Sequence, residues 1–536
     1  MKHILKPSVI LSFGLLAACS QQPIIERPIK LPEQQTTNHW YTQGEQSIVK
    51  KLSHLDMKQA GKAKNIILFV GDGMGISTLT AARILQGQLN GQSGEENYLS
   101  FENFPFTGLA KTYNTNQQTP DSAGTMSAIM TGVKTNAGVL AVDESVNKGH
   151  CQSSKGHELL SALEIAELAG KSTGIVTTAR ITHATPAATY AKSASRDWEG
   201  NADIPVDQTQ CDDIALQFIQ FKQRLANQYP TLNSDGIDVI LGGGRRHFLP
   251  NQTPYNQENP DAKKAEGKRT DNQNLISQWQ YQFPQGRYVN NRDDFLNAST
   301  QTNSHLLGLF HPSHMRYGAD AKNDALGEPS LSEMTNVAID KLALNNNGYF
   351  LMVEAGRIDH GHHAGNAYNA LHETIALSDA VEAALKKVDL SETLIIVTAD
   401  HSHVMTMAGY PKRGNPILGK VIAPNKTTPT LMADGLPYTT LGYLNGRGMH
   451  DLGNETDADA VDDHPINVGR KDISNIDTTA SGYHQEALIP RDSETHGGED
   501  VAIFATGQGA HLVTGVNEQN VIFHIMMYAS GLLNKN

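Results

Sequence analysis

The sequence predicts an α/β fold: a three-layer sandwich around a large, mostly parallel sheet. Short continuous apolar runs of buried-strand type recur along the chain, and each is flanked by a segment with helical periodicity. Polar residues suited to holding cations follow several of these runs directly. Alternation of this kind implies parallel strands with helices on both faces, and it puts functional groups at the carboxyl ends of the strands.

The first unit is NIILFV, the turn GDGMG and the helical pattern STLTAARILQGQL. The same order recurs at SALEIAELAGK before TGIVTTA, at DVILGGG, at EMTNVAIDKLAL before YFLMVEAG, at ALSDAVEAALKKV before TLIIVTAD, and at DVAIFATG. Asp72, Thr185, Glu354 and Asp400 all come after strand candidates, so one rim of the sheet can gather them. From about 405 to 490 the pattern fails: Gly, Pro, Asn and Asp are frequent, and long apolar runs are few. That stretch reads as an irregular insertion. Near residue 41, Ile48, Leu52 and Leu55 lie at helical spacing and predict an amphipathic helix packed on its own domain.

At 536 residues the chain is long enough for one large core or two domains. Its net charge of −13 disfavours a nucleic-acid surface. Residues 1–18 read as an export signal, with Lys2 and Lys6 before the apolar VILSFGLLAA. Leu16-Ala17-Ala18-Cys19 resembles the bacterial lipobox, which predicts Cys19 as a lipidated first residue and an exported lipoprotein of the outer membrane. Residues 19–45, rich in Gln, Pro and Thr, are expected to be an unfolded tether, with the folded domain at 46–536. In an oxidising compartment, Cys151 and Cys211, which lack CxxC spacing, favour a disulfide over a zinc site.

Two acid and histidine clusters carry the chemistry. Asp359 and His363 are four apart in RIDHGHH and share one face if that segment is helical; Asp400 and His401 are adjacent and suit a loop at a strand end. Ser122, in PDSAGT, opens the helical segment AGTMSAIMTGV, where free N–H groups and the dipole favour an anion. No GxSxG elbow is present, and GDGMG is no Walker loop because no GK[ST] follows.

VGDGMG, PDSAGT, ATPAATYAKSASRDW, LGGGRRHF, VEAGRIDHGHHAGN, TADHSHV and ETHGGEDVAIF, in this order over 65 to about 530, resemble the alkaline phosphatases. The resemblance implies hydrolysis of phosphate monoesters through a phosphoserine on Ser122, with two zinc ions and one magnesium ion. It assigns one zinc to Asp359, His363 and His496, and the second to Asp72, Asp400 and His401. Magnesium goes to Asp72, Thr185 and Glu354, with His183 nearby. Arg196 matches the guanidinium that grips phosphate, and His183 with His360 resembles the animal-type pattern. Cys151 and Cys211 match a disulfide of that branch. A calcium site is not claimed, because His311 stands where the family has Glu. The resemblance further implies a homodimer with the 405–490 insertion near its contact. His362, His372 and His403 match no ligand role and are expected to be packing or solvent histidines. A sulfatase would need a CxPxR or SxPxR motif, which is absent; a phosphodiesterase of the superfamily usually lacks the Arg196 equivalent.

Overall fold

A computed structural model describes residues 29–54, 62–299 and 305–533. The export signal and Cys19 lie outside these residues. Ten strands form one sheet. In chain order the first eight are β1 (Asn65–Gly71), β2 (Phe106–Lys111), β3 (Ser172–Arg180), β4 (Val239–Gly243), β5 (Arg287–Val289), β6 (Leu306–Leu309), β7 (Tyr349–Ala355) and β8 (Thr393–Ala399). Strands Val501–Gly507 and Gly515–Glu518 complete it. Seven neighbours run parallel in the order β8, β1, β7, β3, β4, β6, β5; Val501–Gly507 alone runs antiparallel, between β8 and β2. The expected mostly parallel α/β sheet is therefore present.

The central runs of β1, β7 and β8 are apolar because the sheet buries them on both faces. Ile67, Leu68, Phe69, Leu351 and Ile395 have no exposed surface. Their register then decides where the polar ends fall. Gly71 pairs with both Ala355 and Ala399, so Asp72 and Asp400 leave the sheet side by side. Thr177 of β3 pairs with Glu354 of β7, which brings the β3 end to the same rim.

The insertion holds a three-stranded sheet of Met405–Met407, Leu441–Gly446 and Ala487–Pro490, joined by long irregular connections. Cys151 and Cys211 form a disulfide across 60 residues, with Cα atoms 5.7 Å apart. Closing a loop of that size stabilises the folded chain by about 4 kcal/mol.

The tether is shorter than expected. Residues 29–45 pack on the domain: Ile29, Leu31, Gln35 and Tyr41 are buried, and a helix begins at His39 and runs to His54. The anchor is a polar side chain, which composition does not reveal. The Gln35 amide donates to the carbonyls of Thr131 and Leu160 at 2.7 and 3.0 Å and accepts from Leu160 N–H at 2.8 Å. Ile48 and Leu52 of the predicted amphipathic helix face the core, beside the C-terminal helix Val521–Ser530. Among the described residues no helix is long and apolar enough to cross a membrane.

Candidate active site

Ser122 is the first residue of the helix Ser122–Thr131, and Asp121 caps it by accepting from Gly124 N–H at 3.0 Å. The same carboxylate accepts from Asn114 Nδ2 at 2.9 Å and from Gly138 N–H at 2.9 Å. It also pairs with Arg196 Nη1 at 3.2 Å. Asp121 therefore sets both the helix that begins at Ser122 and the Arg196 guanidinium. Burial opposes ionisation of Asp121, yet Arg196 and the two backbone donors hold its pKa below the ordinary value. Gly124 is required for this packing, since a Cβ there would lie 2.6 Å from Asn114 Oδ1.

Ser122 Oγ lies 3.0 Å from His401 Nε2 and 3.4 Å from Asp72 Oδ1. His401 Nε2 is 3.4 Å from both Asp72 and Asp400 carboxylate oxygens. On the far side, Asp359 Oδ1 lies 3.3 Å from His363 Nε2 and 3.5 Å from His496 Nε2, and those two nitrogens are 3.1 Å apart. The His401 and His496 rings stack at 3.7 Å and join the two halves. Asp359 and His363 come from one short helix, Arg357–His363, as the four-residue spacing predicts.

Glu354, Thr185 and His183 form a third group beside Asp72. Thr177 Oγ1 donates to Glu354 Oε2, while Glu354 Oε1, Thr185 Oγ1 and His183 Nδ1 are buried without a protein partner. Asp72 Oδ2 and Asp400 Oδ2 are likewise unpartnered. Burial first, and then the neighbouring carboxylates, raise Asp72 well above its ordinary pKa. Burial also pushes Glu354 up to about 7, against the lowering hydrogen bond from Thr177. Buried carboxylate oxygens that lack donors and repel each other are suited to cations. Groups of ligand atoms within 4.8 Å of one another include Asp359, His363, His403 and His496, then Asp72, Asp359 and His401, and then Asp72, His183 and Glu354.

Arg196 makes none of the local ion pairs open to it in sequence. Asp197 faces Lys148 at 3.4 Å, and Glu199 is gripped by Arg180 at 2.6 Å, which leaves Arg196 to Asp121 and to His183 Nε2 at 3.1 Å. A cavity of 310 Å³ is lined by Ser122, Arg196, His183, His360, His363 and His496 among others. Asp359 lines it too, and Asp72 and His401 adjoin it through Ser122. Burial, and then Arg196, hold His183 well below its ordinary pKa, and burial with Arg357 takes His360 down to about 3. Both rings are neutral at neutral pH.

His403, expected to be a packing or solvent histidine, belongs to the site instead. Its Nε2 lies 2.7 Å from Asp359 Oδ1 and its Nδ1 2.5 Å from Glu494 Oε2. Burial would lower this imidazole, but Glu494 and Asp359 hold it up at about 10. With a carboxylate on each nitrogen it is a donor that orients Asp359 and has no lone pair to offer a cation. The nearby turn is built around it: Gly73 has φ +71°, and a Cβ there would lie 2.4 Å from the His403 ring. The signal in sequence was the second His of Asp400-His401-Ser402-His403. Glu494, 91 residues from His403, gave no sign. His362 and His372 keep packing roles, bonded to Tyr443 and to the Tyr368 carbonyl.

A family model for alkaline phosphatase matches residues 63–532. The chain is 44% identical over 505 residues to the tissue-nonspecific isozyme of alkaline phosphatase from Gallus gallus, covering 93% of this chain and 91% of that one. It is 43% identical over 506 residues to the Rattus norvegicus isozyme, covering 93% and 90%. Among solved structures, Thermus thermophilus alkaline phosphatase shares the fold with a TM-score of 0.59 at 23% identity, over 88% of this chain and 92% of that chain. The protein is an enzyme, a phosphomonoesterase. The chain belongs to the alkaline phosphatase family. Membership implies metal cofactors, and the donor groups above are able to hold them.

Proposed function

We propose that this chain hydrolyses phosphate monoesters in two displacements through a phosphoserine on Ser122. The observation that carries the reading is a serine at a helix N-terminus whose Oγ faces Asp72 and His401, with the Arg196 fork lining the same cavity. Asp72, Asp400 and His401 would hold one zinc, and Asp359, His363 and His496 the other, because imidazole and carboxylate together suit that ion. Asp72, Thr185 and Glu354 offer oxygen donors and would hold magnesium. When bound, such ions neutralise the dianionic phosphate and lower the pKa of hydroxyl and water ligands.

The chain's own residues do the rest. Arg196, held by Asp121, presents a planar fork to two phosphate oxygens, a geometry lysine cannot supply. Neutral His183 and His360 border the phosphate without adding charge. Ser122 Oγ bonds to phosphorus as the ester oxygen departs and leaves as the alcohol. Water then cleaves the phosphoserine from the vacated face and restores the hydroxyl.

The test is phosphate release from phenyl phosphate and from its diester, with zinc and magnesium measured on the same sample. Rapid release from the monoester alone is expected; equal turnover of the diester would overturn the assignment. Arg196→Ala should raise the inhibition constant of inorganic phosphate roughly 10- to 100-fold, the worth of charge-assisted hydrogen bonds. An unchanged constant counts against the phosphate fork.

The Leu16–Cys19 segment supports an exported outer-membrane lipoprotein anchored through Cys19. Cys19→Ser should move the protein from the membrane fraction to the soluble one, and a variant that stays with membranes defeats the anchor. A homodimer is part of the same reading, with the 405–490 insertion as the candidate contact.

A further inference from the structure

Asp359 and His363, two donors of one proposed zinc group, are carried by the helix Arg357–His363, together with His360 of the cavity wall. The helix has seven residues, and no side chain caps its start at Gly356. So short a helix has little stability of its own and leaves terminal backbone groups unpaired. Its position must be imposed by what touches its ends.

Much of that contact comes from the 405–490 insertion. At the start of the helix, Arg357 is 4% exposed, and its Nη2 donates to Asp459 Oδ2 at 2.8 Å across 102 residues. The same guanidinium lies over the Tyr317 ring, 3.7 Å from its centroid, and the Tyr317 hydroxyl donates to Asp459 Oδ1 at 2.8 Å. Both oxygens of Asp459 are therefore engaged, and among the described residues no other carboxylate pairs with Arg357. Asp459 is held in turn by the short 3-10 helix Ala458–Asp463, whose Ala458 and Val461 pack with Tyr317 and Ala364. Past the other end of the ligand helix, the insertion pairs the next carbonyls. His484 Nδ1 donates to the Ala364 carbonyl at 2.8 Å, and Gln485 N–H donates to the Gly365 carbonyl at 2.8 Å.

We propose that Asp459 is a positioning residue of the active site, which sets the Asp359 and His363 donors by gripping their helix through Arg357. The insertion is then part of the scaffold of the metal site as well as a candidate subunit contact. The inference rests on the metal-dependent phosphomonoesterase reading. The Asp459 carboxylate bonds to no metal donor, so its effect reaches the site through Arg357. A buried guanidinium left without its carboxylate is strongly unfavourable, and relief requires the start of the helix to shift.

The test follows zinc release to excess chelator from protein loaded with zinc and magnesium, at a fixed interval below each variant's own melting temperature. That matching separates positioning from a general loss of stability. Asp459→Asn keeps the shape of a partly exposed side chain and its hydrogen bond with Tyr317, but takes the charge from Arg357. One of the two zinc equivalents should leave roughly tenfold faster, the low end of the losses seen for groups that orient metal ligands, while the other keeps its rate. Asp463→Asn, which removes an exposed charge from the same 3-10 helix, should change neither. Arg357→Gln should match Asp459→Asn, and the double variant should be no faster than Arg357→Gln, since both changes cut one link. Asp459→Asn against Asp463→Asn decides the question even where Arg357→Gln does not fold. Unchanged release in Asp459→Asn, equal acceleration of both zincs, or additive effects in the double variant overturn the positioning role and leave the hydrolase reading intact. An unmodified protein that binds no zinc and turns over no monoester overturns both.

Discussion

Ser122→Ala is expected to lower kcat for phenyl phosphate by at least about a thousandfold, because the variant has no atom to carry the phosphoryl group. The surroundings of Ser122 give the prediction its specificity. The hydroxyl makes no structural contact that alanine would break apart from Asp72 and His401, and the helix is held by the Asp121 cap and by Thr125 N–H to the Asp121 carbonyl at 3.2 Å. Zinc content and melting temperature should therefore stay near those of the unmodified protein. Acid quench of the unmodified protein with labelled monoester should trap phosphoserine, and the variant should trap none. Normal turnover in Ser122→Ala removes Ser122 from the mechanism.

Exhaustive chelation is expected to abolish turnover, with zinc and magnesium together restoring it and neither alone sufficing. The argument is electrostatic. Asp72, Asp400 and Glu354 are fully buried, and burial first, with neighbouring carboxylates adding to it, raises the proton affinity of each, so the metal-free site holds protons that the unfolded chain would release. For Glu354 the ordinary value is 4.5 and the folded value about 7. Its protonated form stabilises the metal-free fold below about pH 4.5, and that stability fades as pH rises toward about 7. Loaded protein lacks this loss, since cations replace the protons. Scanning calorimetry should show the melting temperatures of chelated and loaded protein diverging between about pH 4.5 and pH 7. Activity that persists after complete metal removal refutes the cation sites.

Much of the site was legible because its chemistry is written into local sequence. Apolar runs ending in Asp72, Glu354 and Asp400 predict strand ends, and the helical spacing of Asp359 and His363 holds in the helix Arg357–His363. Ser122 was legible for the same reason, since a small-residue segment after Asp121 opens a helix. The residues that orient these groups were not legible. Asp121 carries no such signal, because its pairing with Arg196 spans 75 residues. His403 read as packing because nothing in its neighbourhood names Glu494 or Asp359 as partners. The N-terminal arm read as a tether because Gln35, a residue common in linkers, is also able to satisfy three backbone groups when buried.

The sequence by itself therefore determined the layered α/β architecture, which follows from periodicity, and its motifs, through their resemblance to a family, named Ser122 and the donor residues as candidates. The tertiary structure decided how the donors divide. Parallel register sets Asp72 beside Asp400 and Glu354, and the stacked His401 and His496 rings lie between the serine and the second acid cluster. It also decided how the charges pair: Arg180 is consumed by Glu199, while Arg196 pairs with Asp121 and lines the same cavity as Ser122. Ion pairing depends on distances between residues far apart in the chain, and only the folded sheet sets those distances.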